Sequence, residues 1–166
     1  MFTSINQFTT AWKFESEATL RLLSKLTDDS LARPQMDQVR TVGRAAWHIV
    51  TTLPEMAGRI GITIPGLHHT APVPSGAAAI VEAYRAAAAS VLESVKQWPD
   101  SELQKEDDMY GQMWKRGASL WGMMVHEIHH RGQLTVLMRL AELPVIGVYG
   151  PAKEEWQQYG SKPPEV

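Results

Sequence analysis

The sequence contains no cysteine and has almost no excess of charge of either sign. Without cysteine there are no disulfides, thiolate nucleophiles or cysteine-ligated metal sites, so histidines and carboxylates remain as the metal-binding side chains. The balance of 16 Lys and Arg against 18 Asp and Glu gives a net charge of −2. Because that charge creates no broad positive field for a phosphate backbone, we expect no nucleic-acid partner.

Long apolar runs are also lacking. The longest uncharged stretch, residues 60–81, contains three prolines and a pair of histidines, so it cannot form a spanning helix. The N-terminal segment has neither the basic part nor the apolar part of a signal peptide. We therefore expect no membrane segment and a cytoplasmic location.

The chain length of 166 residues predicts a single domain over 1–166. Apolar residues at helical spacing predict four helices, at 4–26, 38–60, 76–98 and 119–142. Pro54 is expected to kink or break the second helix, and the loop at 61–75 is long enough to cross the molecule. A short extended piece could lie at 109–115, and Pro151 could open a short terminal helix. Four helices without strand alternation predict an all-α four-helix bundle.

Three of the six histidines lie within the five residues HEIHH, at 126–130. A spacing of four places His126 and His130 about 40° apart on one helical face, so their imidazoles could share one ion. His129 points elsewhere on the same helix. Spacing alone leaves two interpretations open, a metal site and a pair of hydrogen-bonded core histidines.

The same five residues match HExxH, the pattern of zinc metalloproteases, in which Glu127 would be the general base. No histidine follows His130 in the sequence, so a third ligand on that side would have to be a carboxylate such as Glu154 or Glu155. The peptidase interpretation therefore lacks a convincing third ligand.

A third ligand from upstream is the other alternative. His48 is the one histidine inside another predicted helix, although it lies at the margin of that helix's apolar face. Glu15 and Glu55 are candidates for orienting the rings through their outer N–H groups. Gly132 lies inside the fourth helix, where we expect close helix packing to compensate for its low helix propensity.

The segment HEIHHRGQL, the isolated His48 in WHIV and the tail VYGPAKEEW together resemble the DinB-like superfamily, which is related to YfiT. The resemblance spans essentially the whole chain and implies an up-down-down-up four-helix bundle with a long crossover loop. It also implies a divalent metal, nickel or zinc, held by three histidines that correspond to His48, His126 and His130.

Relatives of this kind include metal-dependent transferases or isomerases that use a low-molecular-weight thiol, and hydrolases. The resemblance further implies a homodimer and damage-inducible expression. Three neutral imidazoles leave an open coordination position, as in catalytic zinc sites. The leading hypothesis is a metal-dependent enzyme that acts on a small molecule by thiol transfer or hydrolysis. The alternative is a non-catalytic metal-binding or stress-response module, in which a fourth protein ligand would close the site.

Overall fold

The computed structural model describes residues 1–34 and 36–165. Within this part, four α-helices form a bundle, which confirms the predicted all-α class: α1 (Ile5–Leu23), α2 (Val42–Arg59), α3 (Ala77–Lys96) and α4 (Arg116–Leu140). A small antiparallel hairpin of β1 (Glu106–Met109) and β2 (Gln112–Lys115) precedes α4. Short 3₁₀ turns lie at Asp28–Ser30, Asp100–Gln104 and Lys153–Tyr159. No helix of these residues is long and apolar enough to cross a membrane.

The helices run up, down, down and up. α1 packs against α3 and α4, and α2 packs against the same two helices. The carboxylate of Asp28, just beyond the end of α1, accepts a hydrogen bond from the backbone N–H of Ala77 at the start of α3. These two helices are therefore antiparallel. α2 and α3 run parallel, so the segment between them crosses the length of the bundle, as the predicted loop requires.

The ends of the first two helices are set by local chemistry. The Ser4 hydroxyl accepts from the backbone N–H of Gln7, which makes Ser4 the N-cap of α1. α2 begins at Val42 and not at residue 38 as the pattern predicts, because Gln38 has a positive φ of 62° that a helix cannot contain. Pro54 lies inside α2 without ending it.

The predicted extended piece is the hairpin before α4. Its two-residue turn, Tyr110 and Gly111, has positive φ at both positions, 61° and 85°, as a type I′ turn requires. The tip of this hairpin reaches α2, where the Tyr110 hydroxyl donates to Glu55 Oε1 at 3.0 Å. The hairpin therefore covers the end of the bundle at which α2 ends and α4 begins.

The core lies between the four helices and includes the indole of Trp12, whose N–H donates to the Ala88 carbonyl across α1 and α3. The expectation that Gly132 marks close helix packing is wrong. A Cβ built at Gly132 meets nothing within 4 Å, and the residue is exposed on α4. Close approach occurs instead at Gly117, where a Cβ would lie 2.4 Å from the Phe2 carbonyl oxygen.

Candidate metal centre

Three imidazoles from two antiparallel helices converge at one point. The Nε2 atom of His130 lies 3.0 Å from that of His48 and 3.2 Å from that of His126. Ligand nitrogens bound to one tetrahedral zinc ion are about 3.3–3.4 Å apart, since each lies about 2.0–2.1 Å from the ion. The cluster of His48, His126 and His130 could therefore hold a metal ion. That these three rings are its ligands stays a prediction.

The position of the ring hydrogen on His130 favours a cation between the three rings. The Nδ1 atom of His130 lies 2.8 Å from Gln133 Oε1, which can only accept, so Nδ1 carries the hydrogen and Nε2 has a free lone pair. Two other ring nitrogens, from His48 and His126, are within hydrogen-bonding distance of that single lone pair. One lone pair cannot accept two good hydrogen bonds, whereas a cation among the three rings uses a lone pair from each.

All three rings are held in the neutral form that binds metals. Burial, together with the neighbouring His130 and the guanidinium of Arg40, lowers the pKa of His48 to about 4. Burial likewise lowers the pKa of His126 and of His130 below the ordinary value of a histidine. Each ring is only half-buried, so the cluster lies at the edge of the bundle core and remains open to a ligand from solvent.

The side chains that accept hydrogen bonds from the outer N–H groups of the three rings are not those predicted. Glu15 is not an orienting acceptor for a ring, because its carboxylate receives Arg131 Nη2 at 2.6 Å and the Tyr149 hydroxyl at 2.7 Å. The negative charge of Glu55 only partly opposes the burial that lowers the pKa of His126, and Glu55 accepts its hydrogen bond from Tyr110. The acceptor that orients a ring is Gln133.

Beside the cluster, a buried polar network links three helices and the C-terminal segment. Glu127 Oε1 accepts from the Thr19 and Tyr84 hydroxyls, each at 2.7 Å. Arg131 Nη1 donates to Thr19 Oγ1 at 3.1 Å and Nη2 forms an ion pair with Glu15. Burial raises the pKa of Glu127. The network joins α1 and α3 to the side of α4 that lies about 100° around the helix from His126 and His130.

The carboxylates required by the peptidase interpretation are engaged elsewhere. Glu127 is 1% exposed and points into the core network. Glu154 forms an ion pair with Arg139. Glu155 Oε2 accepts from the backbone N–H groups of Gly147 and Ala152. Among residues 1–34 and 36–165, the group that could hold an ion contains no carboxylate, so the geometry does not support a peptidase.

His129 is exposed and stands outside the cluster, as predicted; its ring accepts from the Gln133 amide at 2.9 Å. Two residues were missed by the sequence patterns, Gln133 and Arg131. Gln133 follows His130 by three positions, a helical spacing that predicts contact between their side chains. Arg131 follows Glu127 by four, and that spacing could have indicated a polar face on the core side of α4.

Comparisons with known proteins agree with this fold. The sequence profile of the DinB family matches residues 1–165. The uncharacterized protein YrdA of Bacillus subtilis (strain 168) is 40% identical over 167 residues, covering 100% of both chains. The crystal structure of a DinB-like protein from Bacillus cereus ATCC 10987 superposes with a TM-score of 0.85 at 37% identity, covering 90% of this chain and 100% of that chain.

A second crystal structure, of the DinB-like protein YjoA from Bacillus subtilis, superposes with a TM-score of 0.68 at 20% identity. It covers 88% of this chain and 99% of that chain, and at this identity it supports the fold alone. With a bundle of the same architecture and a family match over nearly its whole length, the chain belongs to the DinB family.

Proposed function

We propose that His48, His126 and His130 bind one divalent metal ion, zinc or nickel, and that the protein is a metal-dependent enzyme acting on a small molecule. The observation that carries this proposal is the convergence of three Nε2 atoms, with His130 Nε2 within 3.0 and 3.2 Å of the other two. Imidazole donors suit zinc and nickel among the common divalent metals.

The chemistry that such an ion supplies is Lewis acidity, which lowers the pKa of a water or thiol nucleophile toward neutrality. Gln133 keeps His130 in the tautomer whose Nε2 lone pair faces the other rings. The half-buried rings leave one side of the cluster open to a substrate. We therefore propose thiol transfer, with a low-molecular-weight thiol as co-substrate, or hydrolysis.

An open site supports an enzyme over a non-catalytic metal-binding module. Within the described part of the chain, the group of possible ligand atoms comprises three histidines and no fourth side chain. A structural site, by contrast, has four protein ligands as a rule. Three ligands at a solvent-facing edge are typical of a site that exchanges water for substrate.

We also propose that the protein is a homodimer. Trp121 on α4 is 43% exposed and lies with Trp114, Ala118 and Val125 in an open apolar depression, and an exposed apolar patch of this kind is typical of a protein interface. Sedimentation equilibrium should give twice the monomer mass of 18.5 kDa. A mass equal to that of the monomer at micromolar concentration would contradict the dimer.

Elemental analysis of the purified protein tests the metal site. We expect about one equivalent of zinc or nickel in the wild type and its loss in His48→Ala, His126→Ala and His130→Ala. The matched control is His129→Ala, adjacent to the cluster but outside it, which should keep the metal. Full metal content in all three cluster variants would reject the site.

Activity requires a separate assay. The metal-loaded protein should transfer a thiol to an electrophile, or hydrolyse an ester or amide, at a rate that a chelator abolishes and added zinc or nickel restores. A loaded protein that is inactive on broad panels of both substrate classes would favour the non-catalytic alternative.

A further inference from the structure

We infer that Arg40 is an anion-binding residue beside the histidine cluster, and that the substrate is a small carboxylate-bearing molecule with an apolar part. The inference rests on the proposed function, since it concerns the ligand that would enter the open side of the cluster. It is carried by a cleft that joins Arg40 to His130.

The cleft has a volume of about 490 Å³ and lies between the segment before α2 and the C-terminal half of α4. Four of its lining residues are polar or charged, namely Gln38, Arg40, His130 and Gln133. The other four are aliphatic, namely Val39, Ala45, Val136 and Leu137. This volume accommodates a small molecule.

Arg40 and a member of the histidine cluster, His130, line the same cleft, so a ligand in the cleft can contact both. No ion pair of Arg40 occurs among residues 1–34 and 36–165. A cation in the cleft beside an open metal site, with no acid paired with it there, is suited to an anionic ligand group.

The charged residues near the cluster differ in sign at its two ends, and this difference would orient such a ligand. Arg40 lies before the first turn of α2 and lines the cleft, whereas Glu55, seven residues beyond His48, accepts from Tyr110 and does not line it. The anionic group of a ligand therefore belongs at the Arg40 end, next to His130. Its aliphatic part would pack against Val136 and Leu137 in the cleft, which disfavours a strongly polar molecule such as a sugar.

A pair of isosteric thiols tests the inference by binding alone. The cobalt-substituted protein is titrated with 3-mercaptopropionate and with the neutral 3-mercaptopropionamide, and the thiolate-to-cobalt absorption gives both dissociation constants. We expect the wild type to prefer the carboxylate by about tenfold, the contribution typical of one charge-assisted hydrogen bond. Arg40→Gln should abolish the preference, and Arg40→Lys should keep part of it.

Arg85→Gln is the matched control, because Arg85 is an exposed arginine on α3 that pairs with Glu82 and does not line the cleft. It should keep the full preference. Equal affinities for the two thiols in the wild type, or an undiminished preference in Arg40→Gln, would overturn the inference while leaving the metal site intact. A protein that binds no cobalt at the cluster would overturn the proposed function, and the inference with it.

Discussion

The Nε2 atoms of His48 and His130 lie 3.0 Å apart, although the residues are 82 positions apart in the chain. Neither helix alone could create this contact. It depends on the antiparallel packing of α2 against α4, which brings the first half of one helix beside the second half of the other. The candidate metal centre is thus a property of the bundle, and it should be lost whenever the two helices separate.

Gln133 should contribute to metal affinity without being a ligand. Gln133→Ala removes the acceptor of the His130 Nδ1 hydrogen, which frees the ring to rotate and to change tautomer. We expect metal affinity, measured by competition with a chromogenic chelator, to fall about 10- to 100-fold. Gln157→Ala, in the exposed C-terminal turn, is the control. Equal affinities in Gln133→Ala and the wild type would show that this hydrogen bond does not orient the ring.

The buried ion pair of Arg131 and Glu15 should be a major determinant of stability. Their side chains are only 4% and 9% exposed, so Arg131→Met leaves a buried carboxylate without its cation. We expect the free energy of unfolding in urea to fall by about 3–5 kcal/mol.

Arg139→Met is the control for that measurement, because it breaks the exposed pair with Glu154, whose side chains are 41% and 36% exposed. It should change the free energy of unfolding by less than about 1 kcal/mol. Similar losses in the two variants would mean that the buried network adds nothing beyond a surface ion pair.

Gly132→Ala should stabilise the protein. A Cβ at this position meets no atom within 4 Å, and alanine has the higher helix propensity, so we expect a gain of about 0.5–1 kcal/mol in the free energy of unfolding. Gly117→Ala should do the opposite, because its Cβ would collide with the Phe2 carbonyl. Thermal or urea unfolding of both variants distinguishes these effects, and a destabilised Gly132→Ala would contradict the open environment of Gly132.

The histidine cluster should make the metal-free protein sensitive to acid. The pKa of His48 is about 4 in the folded state and near 6.5 in the unfolded chain. The unfolded chain therefore binds more protons in this window, and the free energy of unfolding falls as pH decreases from 6.5 to about 4. The lowered pKa values of His126 and His130 act in the same direction.

Urea unfolding of the metal-free protein at pH 7.5 and pH 5 measures this dependence. Glu127, whose pKa is raised by burial, acts in the opposite direction, so the comparison with His48→Gln isolates the histidine contribution. The variant should lose less stability than the wild type between the two pH values. An equal loss would show that His48 does not have a lowered pKa.

Part of the candidate site could be predicted from the sequence. A spacing of four places His126 and His130 on one helical face wherever the helix packs, because helical geometry alone determines it. His48 was harder to predict, since it lies at the margin of the apolar face of α2. The cluster forms at the edge of the contact between two helices. Hydrophobic periodicity identifies the residues at the middle of each apolar face, so a residue at the edge is not selected.

The buried network could not be predicted in the same way. Hydrophobic patterns place charged residues outside, yet Glu15, Glu127 and Arg131 are buried. Arg131 forms an ion pair with Glu15, and Glu127 accepts hydrogen bonds from hydroxyl groups of two other helices, so each buried charge has a partner across helices. Their pairing depends on the order of helices in the bundle. The start of α2 was also missed, since the positive φ of Gln38 has no sequence signal as strong as a glycine.

Anomalous X-ray scattering from crystals of the purified protein, collected on both sides of the zinc and nickel absorption edges, tests the central claim most directly. We predict one anomalous peak that lies within about 2.0–2.2 Å of the Nε2 atoms of His48, His126 and His130. The account would be contradicted by crystals grown with excess metal that show no peak there, with the three rings hydrogen-bonded instead to neighbouring protein oxygens.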